Sequence, residues 1–238
     1  MAKTVLLVTH HADDPRDDRA SRIVAEFGCR TEWVCPRADE DLPEPDGRHV
    51  GAIVYGGPHS VNETKAHPYM RRELDWAGHW VDAGKPYLGF CLGGQILAHA
   101  LGARVGPHPR GLHEMGYFQI NPTEAGRGAF AGAMNLYQCH YEGFEVPASG
   151  ELLATGEAFP NQAFRYGENA YGFQFHPEVT PVVLRRWLDK LEARLSKPGV
   201  HSRERQVADC ARYDQPMEHW LEGFIGRWLA AAQGRSRK

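Results

Sequence analysis

Apolar and polar positions change period along the chain, and the first hundred residues read as alternating strands and helices. TVLLVTH (4–10) is a continuous β-branched and aliphatic run, as expected of a strand buried on both faces. PRDDRASRIVAEFG (15–28) follows as a helix, with Pro15 suited to its first turn and Gly28 to its end. TEWVCP (31–36) and GAIVYGG (51–57) are the next strands, the second stopping on two glycines. Between Pro68 and Ala83, the residues Met70, Leu74, Ala77 and Val81 recur at spacings of four, three and four, a helical stripe closed by Gly84. KPYLGFC is then a strand and LGGQILAHALG a helix. This alternation predicts right-handed βαβ units, hence an α/β fold with a central, mostly parallel, doubly wound sheet flanked by helices.

After residue 102 the pattern shortens. HEMGYFQI, MNLYQCH, ELLATG, QAFRYG and AYGFQFHP are brief strand candidates separated by Gly, Pro and Asn, which predicts a small antiparallel extension. A helix over 181–195 carries Leu184, Trp187, Leu188, Leu191 and Leu195 on one side. Residues 196–214 are polar and read as a linker or loop. A last helix near 216–232 places Trp220, Phe224 and Trp228 at spacing four, a stripe expected to dock on the domain. The expected organisation is therefore one domain over 1–195, with a linker and packed C-terminal helix over 196–238.

Composition narrows the partners. The 238 residues are 42% hydrophobic with a net charge of −3, which gives no electrostatic case for nucleic acid or an anionic membrane. Apolar runs are strand-sized, far short of a membrane span, and the first ten residues do not form a signal peptide. Five cysteines without regular spacing or a Cys-x-x-Cys pair read as reduced thiols, so a cytoplasmic location is expected.

The candidate chemistry centres on Gly89-Phe90-Cys91-Leu92-Gly93, on the seam between a strand and a helix. A nucleophile turned sharply there is pushed into the open, and small residues two before and two after let strand and helix approach. The helix start adds partial positive charge and the backbone N–H of Leu92. A buried cysteine at a packed joint fits this pentapeptide equally well. A thiol nucleophile also needs a base and something to orient it. FQFHPEV (173–179) offers His176 at the end of an apolar strand, with Glu178 two residues on. Gly56-Gly57-Pro58 would place backbone N–H groups at the carboxyl edge of the sheet, where doubly wound folds bind ligands.

In order along the chain, GG-P-x-S, G-x-C-x-G-G-Q and H-P-E resemble the class I (triad-type) glutamine amidotransferases, above all the glutaminase domain of GMP synthetase and its stand-alone relatives. The resemblance covers roughly 4–195 and implies a flavodoxin-like α/β hydrolase fold. It also implies that Cys91 attacks the γ-amide carbon of L-glutamine, that His176 serves as base and then acid, and that Glu178 orients His176. The oxyanion would rest on N–H groups of Leu92 and of the Gly56-Gly57 loop. Gln95 would contact the amino-acid end of the substrate, with His140, Tyr141 and Glu142 of QCHYEGFEVP as pocket residues. The family needs no cofactor and no metal.

Bifunctional relatives carry an ammonia-using domain, but no G-x-x-x-x-G-K loop or strand-linked G-x-G-x-x-G is present. A partner synthetase on a separate chain, or no acceptor at all, is the expectation. A γ-glutamyl peptidase or hydrolase on the same scaffold, and a non-catalytic regulatory subunit, are the alternatives. HHADDPRDDR (10–19) bundles histidines and aspartates but reads as a solvated helix cap, not a metal site. A Cys139–His140 dyad is disfavoured, since neighbours on a strand face opposite ways.

Overall fold

The computed structural model describes residues 3–11, 17–232 and 234. Its parallel half is built from β1 (Thr4–Val8), α1 (Arg19–Glu26), β2 (Arg30–Val34), β3 (His49–Val54), α2 (Pro68–Asp82), β4 (Tyr87–Phe90) and α3 (Leu92–Ala100). The antiparallel part comprises β5 (Val105–Pro107), β6 (Glu114–Pro122), β7 (Met134–His140), β8 (Glu142–Phe144), β9 (Gly150–Thr155) and β10 (Ala163–Tyr166). The chain then returns through β11 (Ala170–Phe173), α4 (Pro181–Lys190) and α5 (Arg203–Ala232). One sheet runs β2-β1-β3-β4-β11-β10-β9-β6-β7, parallel from β2 to β11 and antiparallel beyond, while β5 and β8 pair separately.

Strand alternation sorts the core into two layers. Val5, Leu7, Ile53, Leu88 and Phe90 face α1, α4 and α5. Leu6, Val8, Ala52, Val54 and Tyr87 face α2 and α3, where Trp76 and Trp80 fill the space. Burial on both sides is why these strands read as unbroken apolar runs.

Three sequence expectations are corrected. The first helix begins at Arg19, with the Asp18 side chain accepting from the Ser21 N–H as its cap; Pro15 lies outside the described residues. Residues 203–214 are helix, not loop, because α5 starts thirteen residues before 216 and carries Pro216 inside it. In that polar stretch only Gln206 and Cys210 are buried, so the apolar stripe that continues through Met217 and Leu221 is hidden at its start. Strand β11 stops at Phe173, which leaves His176 three residues past the strand end and not on it. The chain there is held by the Gln174 N–H on the Gln162 carbonyl at 2.9 Å and the His176 N–H on the Tyr137 carbonyl at 2.8 Å.

Candidate active site

Strands β1, β3, β4 and β11 are neighbours and parallel, so their carboxyl ends bring His10, Gly56-Gly57, Cys91 and His176 to one edge. That is the edge at which doubly wound sheets bind ligands. Cys91 has φ 49° and ψ −105°, a backbone conformation rarely adopted by a residue with a side chain. Its N–H is anchored on the Phe173 carbonyl at 2.8 Å, and α3 begins at the next residue. The flanking glycines follow from close packing. A Cβ on Gly93 would stand 2.1 Å from the Val54 carbonyl oxygen, and one on Gly89 would stand 2.3 Å from the Gly93 carbonyl carbon.

Cys91 is buried yet lines a cavity of about 250 Å³ together with Gly56, Gly57, Cys139, His176 and Glu178. The His176 Nδ1 lies 2.8 Å from Glu178 Oε1, and the indole of Trp187 meets its ring edge-on at 4.9 Å. Burial by itself would lower the His176 pKa. The Cys91 thiol and the Glu178 carboxylate outweigh burial and hold it well above the ordinary histidine value. The second carboxylate oxygen of Glu178 is buried without a hydrogen-bond partner among the described residues, while its backbone carbonyl accepts from the Arg19 N–H at 3.0 Å. A Cβ on Gly56 would stand 2.5 Å from His176 Cε1, so the glycine loop lies directly on the imidazole.

The remaining sequence-nominated residues stand behind this wall. Gln95 donates to the Glu142 carbonyl at 3.0 Å and to Gln174 Oε1 at 3.2 Å. The His140 Nδ1 faces the Glu142 carbonyl at 2.9 Å, and its Nε2 faces Gln138 and Glu114, each at 3.1 Å. Gln95, His140, Tyr141 and Glu142 are absent from the cavity lining. Tyr141 is half-buried under the Arg194 guanidinium, 5.9 Å from its ring centre. Burial raises the Glu142 pKa, with Glu63 adding to the shift and Ser60 opposing it. Leu92 is buried at the start of α3, its side chain against Gly57.

Sequence reasoning missed two neighbours of the thiol and one of the imidazole. Gln174 donates to the Cys91 sulfur at 3.7 Å, and its place two residues before His176 was the available signal. Cys139 lines the same cavity, with its carbonyl oxygen 4.0 Å from the Cys91 sulfur. Trp187, which the sequence predicts only as part of an apolar helix face, lies edge-on to the His176 ring. Among the described residues no group of three or more His, Cys, Asp and Glu side chains could hold a metal; residues 12–16 of the acidic stretch lie outside them. No described helix is long and apolar enough to cross a membrane.

Residues 19–188 match the family model of glutamine amidotransferase class-I. The chain belongs to that family. A glutamine amidotransferase-like protein of Salmonella typhimurium, YfeJ, is 32% identical over 207 residues, covering 83% of this chain and 86% of that one. The glutamine-hydrolysing GMP synthase of Aeropyrum pernix is 29% identical over 80% of this chain, which spans only 38% of the synthase. Among solved structures, a glutamine amidotransferase from Methylobacillus flagellatus superposes with a TM-score of 0.88, covering 100% of this chain and 97% of its own at 24% identity. One from Thermotoga maritima gives 0.84, also at 24% identity, over 96% of this chain and 99% of its own. These structural likenesses establish the class I amidotransferase fold: a mostly parallel sheet flanked by helices, with its antiparallel extension.

Proposed function

We propose that this class I amidotransferase hydrolyses the γ-amide of L-glutamine through a γ-glutamyl thioester on Cys91. The observation that carries the reading is the strained Cys91, open to a cavity it shares with an imidazole held by a buried carboxylate. In the first half-reaction the Cys91 thiolate adds to the amide carbon. The oxyanion rests on the N–H groups of Leu92 and Gly57, and protonated His176 gives its proton to the departing ammonia. In the second, His176 takes a proton from water, hydroxide adds to the thioester, and glutamate leaves as the thiolate is restored. Glu178 keeps the His176 Nδ1–H in place and stabilises the imidazolium. No step calls for a cofactor or a metal.

Gln95, His140, Tyr141 and Glu142 then act as a scaffold beneath the substrate's amino-acid end. The family likeness to GMP synthases supports delivery of ammonia to a separate synthetase. Five free thiols support a reducing, cytoplasmic setting, and residues 1–195 would hold the whole site, with 196–238 as its support. One observation favours a second reading, hydrolysis of γ-glutamyl conjugates. Beyond the thiol the cavity continues past Trp33, Tyr55 and Leu191, which offers room for a leaving group larger than ammonia. A retired, non-catalytic site has no physical reason to keep the strain at Cys91.

The test is glutamate release from L-glutamine by the purified chain, run beside a panel of γ-glutamyl peptides. Turnover of glutamine supports the first reading. Turnover of the peptides alone transfers the proposal to the second, and silence on both removes hydrolysis. A companion prediction concerns Gly56→Ala. Its Cβ would displace the His176 ring, so turnover should fall roughly 10²-fold, the scale of an ångström-sized misplacement. Wild-type turnover in that variant would mean the loop does not abut the working imidazole.

A further inference from the structure

We propose that His10 and Glu73 form a buried clamp that fixes the Gly56–Gly57 peptide, so that the Gly57 N–H is presented as an oxyanion donor to chemistry at Cys91. The proposal rests on reading Cys91 as an acyl-forming nucleophile. His10 lies two residues past β1, and Glu73 projects from α2. Both are 0% exposed. The His10 Nε2 sits 3.0 and 2.9 Å from the two Glu73 oxygens, and its Nδ1 sits 3.0 Å from the Gly56 carbonyl oxygen.

Both ring nitrogens face acceptors. A carbonyl oxygen and a carboxylate can only accept, so with Glu73 ionised both nitrogens carry hydrogen and His10 is an imidazolium. Burial alone would lower the His10 pKa, but Glu73 and the Gly56 carbonyl more than offset it and raise it. Arg37, the nearby cation, opposes the rise, and its guanidinium donates to the His10 carbonyl at 3.2 Å. A buried ion pair is a poor stabiliser compared with apolar residues of the same volume. Its use lies in the third bond. A neutral ring could present a lone pair to the Gly56 oxygen, whereas the imidazolium can present only N–H.

The consequence follows from peptide planarity. In a trans peptide the carbonyl oxygen and the next N–H point in opposite directions. Pulling the Gly56 oxygen onto His10 therefore turns the Gly57 N–H away from His10, and among the described residues that N–H has no acceptor. Gly57 lines the cavity with Cys91 and His176. The loop also rests on the ring itself, since a Cβ on Gly57 would stand 2.8 Å from His10 Cγ and 2.6 Å from Leu92 Cδ2. The other donor, Leu92 N–H, is set by α3. The peptide between two glycines has no such internal restraint, and the clamp supplies one.

The test separates reactions that pass through an oxyanion from one that does not. Removing His10 alone would strand a buried carboxylate, so two double variants are used, His10→Leu/Glu73→Leu and His10→Phe/Glu73→Leu. The second keeps an aromatic ring in place should the first fail to fold. Burst acylation of Cys91 by p-nitrophenyl acetate, and kcat for glutamine, should fall by about 10²-fold or more, the usual loss for one oxyanion donor, with KM little changed. Alkylation of Cys91 by iodoacetamide, a displacement that builds no oxyanion, should keep its wild-type rate. Glu73→Gln alone should retain most of the acylation that the double variants lose, because a neutral His10 with hydrogen on Nδ1 can accept from the glutamine amide at Nε2. Wild-type acylation in either double variant overturns the clamp. So does alkylation that falls in step with acylation, since the pair would then serve only to hold the site together. The ester and iodoacetamide arms need no glutamine, so a wild-type chain that acylates but releases no glutamate sinks the glutamine reading while the clamp is judged on its own rates.

Discussion

Cys91→Ala should lower turnover by about 10⁶-fold, the scale seen when a nucleophile–base unit loses one member, and His176→Ala should cost nearly as much. The two losses should not add, because each already dismantles the same unit. Glu178→Gln should cost less. A glutamine at 178 can still face the His176 Nδ1, which Glu178 now holds at 2.8 Å, but it withdraws the negative charge that stabilises the imidazolium. Equal losses in all three variants would contradict that division of labour, and residual wild-type turnover in Cys91→Ala would remove the cysteine from its role.

A second readout does not depend on activity. Burial pushes the His176 pKa down, and the thiol followed by Glu178 pushes it well above the ordinary value. Deleting the thiol removes the first of those opposing influences. The imidazole of Cys91→Ala should then titrate lower than that of the wild type, as followed by NMR of the ring protons. The sign for stability follows from linkage: a group whose folded pKa is raised contributes fully below its unfolded value, about 6.5, and loses that contribution as pH rises through the folded value. Wild-type stability from this group should therefore decline above about pH 6.5, and in Cys91→Ala the decline should start at the same pH but be smaller and finish at a lower pH. An unchanged His176 titration would mean the two side chains are not electrostatically coupled.

The elbow was legible in the sequence because its requirements are local. A strand, a bend and a helix meet within five residues, and the glycines stand where an added Cβ would meet backbone atoms at 2.1 and 2.3 Å. The His176–Glu178 contact was legible for the same reason, since the two residues are two positions apart along the chain. What escaped depends on partners far along the chain. His10 reads as one of a row of polar residues around a helix start, yet it is fully buried against a carboxylate 63 positions away. Asp18 does serve as the cap, so that grouping was right for one end of the stretch and wrong for the other. Gln95 and His140 were nominated as pocket residues, but the folded chain spends their hydrogen bonds on each other's neighbours, the Glu142 carbonyl accepting from Gln95 and facing His140. The first turns of α5 were missed because their exposed polar face outnumbers the two buried positions.

That helix carries the other large expectation. Phe224→Ala should destabilise the fold by about 4 kcal/mol, the usual cost of deleting a buried aromatic ring. At roughly 2–4 °C per kcal/mol for a chain of this size, Tm should fall by about 10 °C. The Phe224 ring is buried and meets Tyr171 and Phe173 edge-on or tilted, each at 5.1 Å, with Trp220 at 5.4 Å. Trp220 is fixed in turn by its indole N–H on the Ala129 carbonyl at 2.9 Å and by stacking on Phe130 at 5.2 Å. Phe173 is the residue whose carbonyl anchors the Cys91 N–H, and Phe175 immediately precedes His176. The aromatic layer under α5 thus supports the strand end from which Cys91 and His176 take their positions. Val207, on the same helix but 46% exposed, is the internal control: Val207→Ala should change stability by no more than about 0.5 kcal/mol. Denaturant unfolding of the pair decides the matter. A lowered midpoint with unchanged slope in Phe224→Ala alone assigns the helix to the core. Equal midpoints would mean that α5 rests on a domain whose stability does not need it.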